Sequence, residues 1–176
     1  MKYLITLIFL IFSFQSPRII ELKDFYSGKG VIFDASEPYP FKDLDYKKSY
    51  TPTVEDIKKA EFFLFDNYYQ YKVKVFKHFK YDENLINKLL KPRYKKPQKV
   101  KKKFCKYNRQ YAGYINSSND TIIYIGLLNF SNKKKAEQQF DGWQEKILIG
   151  FGDFYEKNQD FYNINISKNE FVYKLE

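Results

Sequence analysis

The chain is poor in cysteine, histidine and arginine, and each shortage removes a class of chemistry. Cys105 is the one cysteine in 176 residues, so no disulfide can form within the chain and the fold has to stand on packing. His78 is the one histidine, which excludes a multi-histidine metal site and leaves a single ring for any Cys/His or Ser/His pair. It lies in Lys77-His-Phe-Lys80, a basic setting rather than the carboxylate-flanked one of a catalytic base. Among 31 basic residues only Arg18, Arg93 and Arg109 are arginine. Surfaces that read phosphate favour the planar, two-pronged guanidinium, so this shortage argues against specific nucleic-acid recognition. There is no nucleotide-binding glycine pattern and no internal repeat, and no cofactor or metal is expected.

What the chain has in quantity is apolar and aromatic residues. Hydrophobic residues make up 44% and aromatics 20%, enough buried ring area to offset chain entropy and to exclude a disordered chain. Lys2 followed by the nearly unbroken apolar run Tyr3 to Phe14, then Gln15-Ser-Pro-Arg18, has the layout of a secretory signal peptide. The run is shorter than the roughly 18 apolar residues of a membrane-spanning helix. Residues 1–16 are therefore expected to be a removable leader, residues 17–176 a single domain without a transmembrane span, and the protein exported: periplasmic, cell-surface or secreted.

The expected fold is α+β, a long amphipathic helix packed on a four- to five-stranded antiparallel sheet, with the helical region preceding the meander. In the N-terminal segment, 17–50, Val31-Ile-Phe33 suggests a short strand and Pro38-Tyr-Pro40 an extended loop. The helical part, 51–91, opens at Thr53 with Asp56 three residues on, a capping-box pattern. Ile57, Ala60, Leu64, Tyr68 and Tyr71 then recur at helical spacing, widened by Phe62, Phe63 and Phe65, to about Lys72. A short helix around Leu85, Ile86, Leu89 and Leu90 ends before Pro92. A basic connection, 92–106, leads to the sheet, 107–176, with strands expected at 110–115, 121–130, 146–151, 161–167 and 171–175. Asn116-Ser-Ser-Asn-Asp120 and Lys168-Asn169 read as its turns. In Tyr111-Ala-Gly-Tyr114, alternation puts Gly113 on the helix-facing side, where a ring can approach the backbone.

The formal net charge is +10, and its distribution says more than its size. Between Asn84 and Asn119 there is no acidic residue and there are eleven basic ones, leaving 20 basic against 21 acidic residues elsewhere. Codon bias toward lysine does not explain this segregation, which points to an anionic partner: an envelope lipid, a glycan or an acidic protein. The contact residues expected are Lys95, Lys96, Lys101, Lys102 and Lys103, the alternative being that the segment is a solvated connection between helix and sheet. Tyr107, Tyr111, Tyr114, Tyr124, Phe154, Tyr155, Phe161 and Tyr162 offer stacking faces for a second surface, though most of them are expected to be core, and Trp143 reads as a buried anchor at the sheet rim.

The segments Tyr107-Asn-Arg-Gln-Tyr-Ala-Gly-Tyr-Ile-Asn116, Thr121-Ile-Ile-Tyr-Ile125, Trp143, Gly150-Phe-Gly-Asp-Phe-Tyr155 and Phe161-Tyr-Asn-Ile-Asn-Ile166 resemble a group of small exported bacterial proteins of unknown function. The resemblance covers roughly Thr51 to Glu176 and implies compartment and single-domain organisation, not a reaction. A helix on an antiparallel sheet is also similar to cystatin-like inhibitors, but their Gln-x-Val-x-Gly hairpin is missing, so protease inhibition is not implied. The reading is a non-enzymatic binding module of the bacterial envelope or exterior. Its alternative is a small exported hydrolase using paired carboxylates among Asp141, Glu145, Asp153 and Glu156, which would require two of them to converge in a cleft.

Overall fold

The structure, a computed structural model, describes residues 18–37, 39 and 45–172. The expected leader, Pro38 and Pro40 of the expected loop, and positions 173–175 of the last expected strand lie outside the described residues.

The fold is α+β. Seven strands, β1 (Arg18–Ile20), β2 (Gly30–Ile32), β3 (Tyr46–Tyr50), β4 (Tyr107–Asn116), β5 (Thr121–Asn129), β6 (Gln159–Asn165) and β7 (Glu170–Phe171), form one sheet. Its order is β1-β2-β4-β5-β6-β7, with β3 also on β4. From β4 to β7 the sheet is the antiparallel meander that the sequence suggests, and the long helix precedes it. The expected count of four or five strands, all antiparallel, is corrected by the N-terminal segment. β2 runs parallel to β4, Val31 opposite Gln110, while β3 pairs antiparallel farther along the same edge. These early strands are three to five residues long, too short to show a period of two, and β3 is Tyr-Lys-Lys-Ser-Tyr.

Helix α1 (Val54–His78) starts where the capping box places it: the Asp56 amide donates to Thr53 Oγ1 at 3.1 Å and the Thr53 amide to Asp56 Oδ2 at 3.1 Å. It runs past Lys72 because Val73 and Phe76 still find the core. Ile57, Ala60, Leu64, Phe65 and Tyr68 are buried against Tyr111, Ile123, Ile125, Leu127, Tyr162 and Ile164 of the sheet. Phe62 does not join that face. It is 60% exposed, its ring edge-on to Phe25 at 4.7 Å, because a step of two from Ala60 turns it away.

Gly113 faces α1, and a Cβ there would stand 3.0 Å from the Tyr50 ring and 2.9 Å from its carbonyl oxygen. The missing side chain is what lets β3 lie down on β4. The opposite face of the sheet is also covered, with Val31, Phe33, Tyr39, Ala112, Tyr114, Ile122 and Tyr124 packed together and Trp143 and Ile147 beside them. Burial on both faces explains why β5 is almost continuously apolar, and it leaves Asn108, Arg109 and Gln110 of β4 buried as well.

Residues 146–151, expected as a strand, have no ladder partner. Two glutamine side chains replace one. Gln110 Nε2 donates to the carbonyls of Trp143 (2.5 Å) and Lys146 (2.7 Å), and Gln110 Oε1 accepts from the Leu148 amide (2.9 Å). Gln159 Nε2 donates to the Leu148 carbonyl and Gln159 Oε1 accepts from the Gly150 amide. The backbone's demand for partners is thereby met without sheet geometry. Short helices α4 (Lys133–Gln139) and α5 (Asp153–Asn158) flank this stretch.

In the core between α1 and the sheet lies a charged pair. Glu61 and Arg109 are both 0% exposed, with Arg109 Nε donating to Glu61 Oε1 at 3.2 Å. Tyr111 donates to the same carboxylate oxygen at 2.8 Å. Arg109 Nη1 donates to the carbonyls of Phe104 and Tyr107, and its guanidinium lies 4.0 Å from the Tyr26 ring centre.

Burial also sets the behaviour of the tyrosines at high pH. Desolvation pushes Tyr26 and Tyr107 up to about 12, the Asp56 carboxylate does the same for Tyr50, and Tyr68, Tyr111, Tyr124 and Tyr162 are raised further by burial. A folded-state value above the unfolded one contributes stability below the unfolded value, near 10, and loses it as pH rises toward the folded one. Phenolate absorbance from these seven rings is expected to grow only together with loss of helical circular dichroism. Smooth titration of every tyrosine in a still-folded protein would contradict the packing described.

Candidate anion-binding surface

The basic connection is not an irregular linker. Leu90 closes α2 (Glu83–Leu89), a single 3-10 turn spans Pro92–Lys95, and Pro97 opens helix α3 (Pro97–Phe104). Proline is suited to the first helical turn, where its missing amide hydrogen is not needed. Val100 and Phe104, one turn apart, are buried against α1 and fix which side of α3 faces inward. Lys99, Lys102 and Lys103 then share the flank facing the 3-10 turn. With Arg93 and Tyr94 they line a cavity of about 250 Å³.

The five expected contact residues therefore separate. Lys102 and Lys103 line this cavity, and Lys99 and Arg93, which the sequence reading left out, join them. Lys101 projects to the other side, 5.9 Å from the Phe25 ring centre. Lys95 lies 5.2 Å from the Tyr69 ring of α1, and Lys96 caps α3 with its side chain exposed. Within α3 helical phase sorts them, since steps of three and four from Lys99 stay on one flank and a step of two leaves it, while Lys95 and Lys96 precede the helix.

Arg93 is held over Tyr94, its guanidinium 5.1 Å from the ring centre and Nη2 donating to the hydroxyl at 3.1 Å. Lys103 is the half-buried member. Its Nζ lies 3.8 Å from the Phe104 ring centre and 3.6 Å from Asp160 Oδ2, while Lys72 Nζ takes Asp160 Oδ1 at 3.0 Å. One carboxylate thus serves two ammonium groups. Desolvation, with Lys72 adding to it, holds Lys103 below the usual lysine range, against the pull of Asp160. An anion entering beside Lys103 would relieve that excess of positive charge.

The segregation of charge seen along the sequence is only partly kept in space. Arg109 is neutralised in the core by Glu61 and Lys103 is partly balanced by Asp160, both acids from outside the window. What remains is still one-sided. Three clefts among the described residues are larger: one of about 300 Å³ beside Trp143 carries only carboxylates as charged groups, Glu137, Asp141 and Glu145, and two of about 550 to 560 Å³ mix charges. One between α1 and β7 holds Lys74, Lys77 and Glu170, and one near Trp143 holds Glu21, Lys23, Lys29, Lys133 and Glu137. The lining of the cavity over α3 contains four cations and no carboxylate.

The aromatic surface proves to be mostly core: Tyr111, Tyr114, Tyr124 and Tyr162 are buried, Tyr107, Phe154 and Tyr155 half-buried, and Phe161 exposed. Trp143 is half-buried between two apolar clusters. Asp141 and Glu145 lie on the turn around Trp143, with Glu137 on the same shallow cleft, and all three are exposed. Asp153 and Glu156 are exposed on α5, Asp153 paired with Lys157 at 3.8 Å. His78 is exposed in the last turn of α1, and Cys105 is half-buried with Sγ 3.6 Å from Ser27 Oγ. Among the described residues no group of three or more His, Cys, Asp or Glu is placed to hold a metal ion, and no helix is long and apolar enough to cross a membrane. The chain matches no protein-family model, no curated protein and no solved structure.

Proposed function

We propose that the protein is an exported, non-enzymatic binding module of the bacterial envelope or exterior that holds an anionic partner on the flank of α3. The observation that carries this reading is the cavity lined by Arg93, Tyr94, Lys99, Lys102 and Lys103, which gathers cations without a carboxylate in its wall. Packing of α3 on α1 fixes the backbone under these side chains, so their charge is presented at a defined place, and α3 does not depend on the partner to fold. The apolar leader supports export. Asp141 and Glu145 share a shallow cleft with Glu137, but Asp153 and Glu156 lie apart on α5 and all of these carboxylates are exposed, so the hydrolase reading has the weaker support.

The test compares two variants of equal charge. Arg93→Gln/Lys99→Gln/Lys102→Gln is expected to weaken binding to an anionic probe by about tenfold or more, each cation near a charged surface contributing about 1 kcal/mol. Lys95→Gln/Lys96→Gln/Lys101→Gln is expected to weaken it much less, and both should melt close to wild type because exposed lysines add little to folding. Phosphatidylglycerol vesicles, heparin and polyglutamate serve as lipid, glycan and acidic-protein probes. Wild-type binding should fade as the Debye length falls to about 8 Å at physiological salt. Absence of binding to all three at low salt, or equal losses in the two variants, would remove the reading.

A further inference from the structure

Eight large hydrophobic side chains are conspicuously exposed among the described residues, and four of them, Phe79 (55%), Tyr81 (41%), Leu85 (37%) and Leu89 (51%), fall within eleven consecutive positions. They sit where α1 ends and α2 begins. Phe79 caps α1, Lys80 adopts a positive φ of 60° that reverses the chain, and Asp82 caps α2 by accepting from the Leu85 amide at 2.8 Å. Helix α2 is pinned from below by Ile86 and by Leu90, which joins the main core. Leu85 and Leu89, one turn apart, are consequently held on its outer side. Tyr81 stacks on Phe76 at 5.5 Å, which fixes the turn itself.

Along the chain this apolar corner is flanked by positive charge. Lys77, Lys80, Lys88 and Lys91 surround it in sequence, against Asp82 and Glu83. Asp82 is committed to the helix cap. Immediately beyond stand Arg93 and the α3 cations.

From this arrangement we infer that the α1–α2 corner is a membrane-docking tip, in which Phe79, Leu85 and Leu89 enter the headgroup and acyl boundary of an anionic bilayer while the surrounding lysines hold its phosphates. Resting on the anion-binding reading, the inference selects lipid as the partner. Charge complementarity favours it: an apolar ridge between flexible lysines is the composition of an interfacial anchor, and long lysine stems let the ammonium groups reach headgroups while the apolar side chains go deeper. A glycan or an acidic protein would use the lysines and leave Phe79, Leu85 and Leu89 without a role.

The experiment measures partitioning to vesicles of phosphatidylglycerol mixed with phosphatidylcholine, with phosphatidylcholine vesicles and heparin as comparisons. Phe79→Ser/Leu85→Gln/Leu89→Gln, which alters exposed positions only, is expected to lose about tenfold or more of its vesicle affinity and to bind heparin as wild type does. In Leu89→Trp, with Trp143→Phe removing the native indole, emission should shift to the blue on anionic vesicles and be quenched by lipids brominated in their acyl chains. Heparin binding without vesicle binding, or vesicle binding with unshifted emission and an unaffected triple variant, would overturn the membrane tip while leaving the anion-binding reading in place. Failure to bind vesicles, heparin or polyglutamate would overturn both. A triple variant that becomes monomeric where the wild type is a dimer, with vesicle affinity unchanged, would assign the corner to a second copy of the chain and likewise overturn the proposal.

Discussion

Replacing Glu61 by leucine is expected to destabilise the protein by about 3 to 5 kcal/mol, the usual consequence of removing one member of a buried ion pair. Both partners are fully buried, so the arginine left behind has no access to water and keeps its charge. Phe104 and Tyr107 carbonyls still accept from Nη1, and the Tyr26 ring still lies beside the guanidinium, but neither neutralises it. Tyr111 loses its acceptor as well. Arg109→Met strands the carboxylate instead and should cost a similar amount. The double variant Glu61→Leu/Arg109→Met is expected to recover a large part of the loss, because no buried charge remains and apolar side chains of similar size replace the pair. Recovery is incomplete to the extent that the two carbonyls lose their donor. Urea unfolding of the four proteins closes the cycle. Single variants with wild-type midpoints, or strictly additive losses in the double, would show that the pair is not buried as described.

That pair also shows where a sequence stops being legible. Glu61 stands in Ala60-Glu-Phe-Phe-Leu64 on the face that packs inward, and Arg109 stands third in a strand, Tyr107–Asn116, whose other residues are apolar or neutral. Each is locally odd, yet nothing within either segment says that they meet across 48 positions. The features that could be read were the local ones. Thr53 and Asp56 gave the start of α1, alternation gave β4 and β5, and Asn116 to Asp120 gave the turn between them, closed by the Asp120 amide donating to Asn116 Oδ1 at 2.8 Å. Lys168-Asn169 likewise falls between β6 and β7, with Asn169 at a φ of 54°. Of the early strands, β2 is legible in Val31-Ile-Phe33, while β1 and β3 escape because they are short and depend on pairing with other strands. Residues 146–151 look like a strand by composition, but their hydrogen bonds come from glutamine side chains, a choice made by tertiary structure.

The candidate site divides in the same way. A lysine-rich, acid-free stretch is visible in the sequence, and so is the interest of its cluster at 95–103. Its division into flanks is not, because α3 contributes only Val100 and Phe104 as apolar signals, two residues at one helical step among lysines. Once those two are known to face α1, the grouping of Lys99 with Lys102 and Lys103 follows from helical geometry, and the separation of Lys101 follows with it. Arg93 and Asp160 enter through folding alone: a 3-10 turn brings one to the cavity, and β6 brings the other to Lys103.

The second large effect is expected at the middle of the interface between α1 and the sheet. Leu64 is fully buried in the main core, on the helix face also occupied by Ile57, Ala60 and Tyr68. Truncation to alanine removes the transfer free energy of the lost methyl and methylene groups and leaves a void that the flanking rings can fill only in part, for a loss of about 2 to 5 kcal/mol. The aromatic surroundings push the value toward the upper part of that range, since Tyr68 and Phe65 are themselves locked by neighbouring rings and cannot swing in freely. Asp66, two positions on and exposed, provides the matched control: Asp66→Ala raises helix propensity slightly and touches no core contact, so its urea midpoint should not fall below wild type. A Leu64→Ala midpoint equal to that of Asp66→Ala would mean that α1 does not lie on the sheet by this face. The flank of α3, which is positioned by packing on the same helix, would then be misplaced as well, so the core measurement bears directly on the proposed anion site.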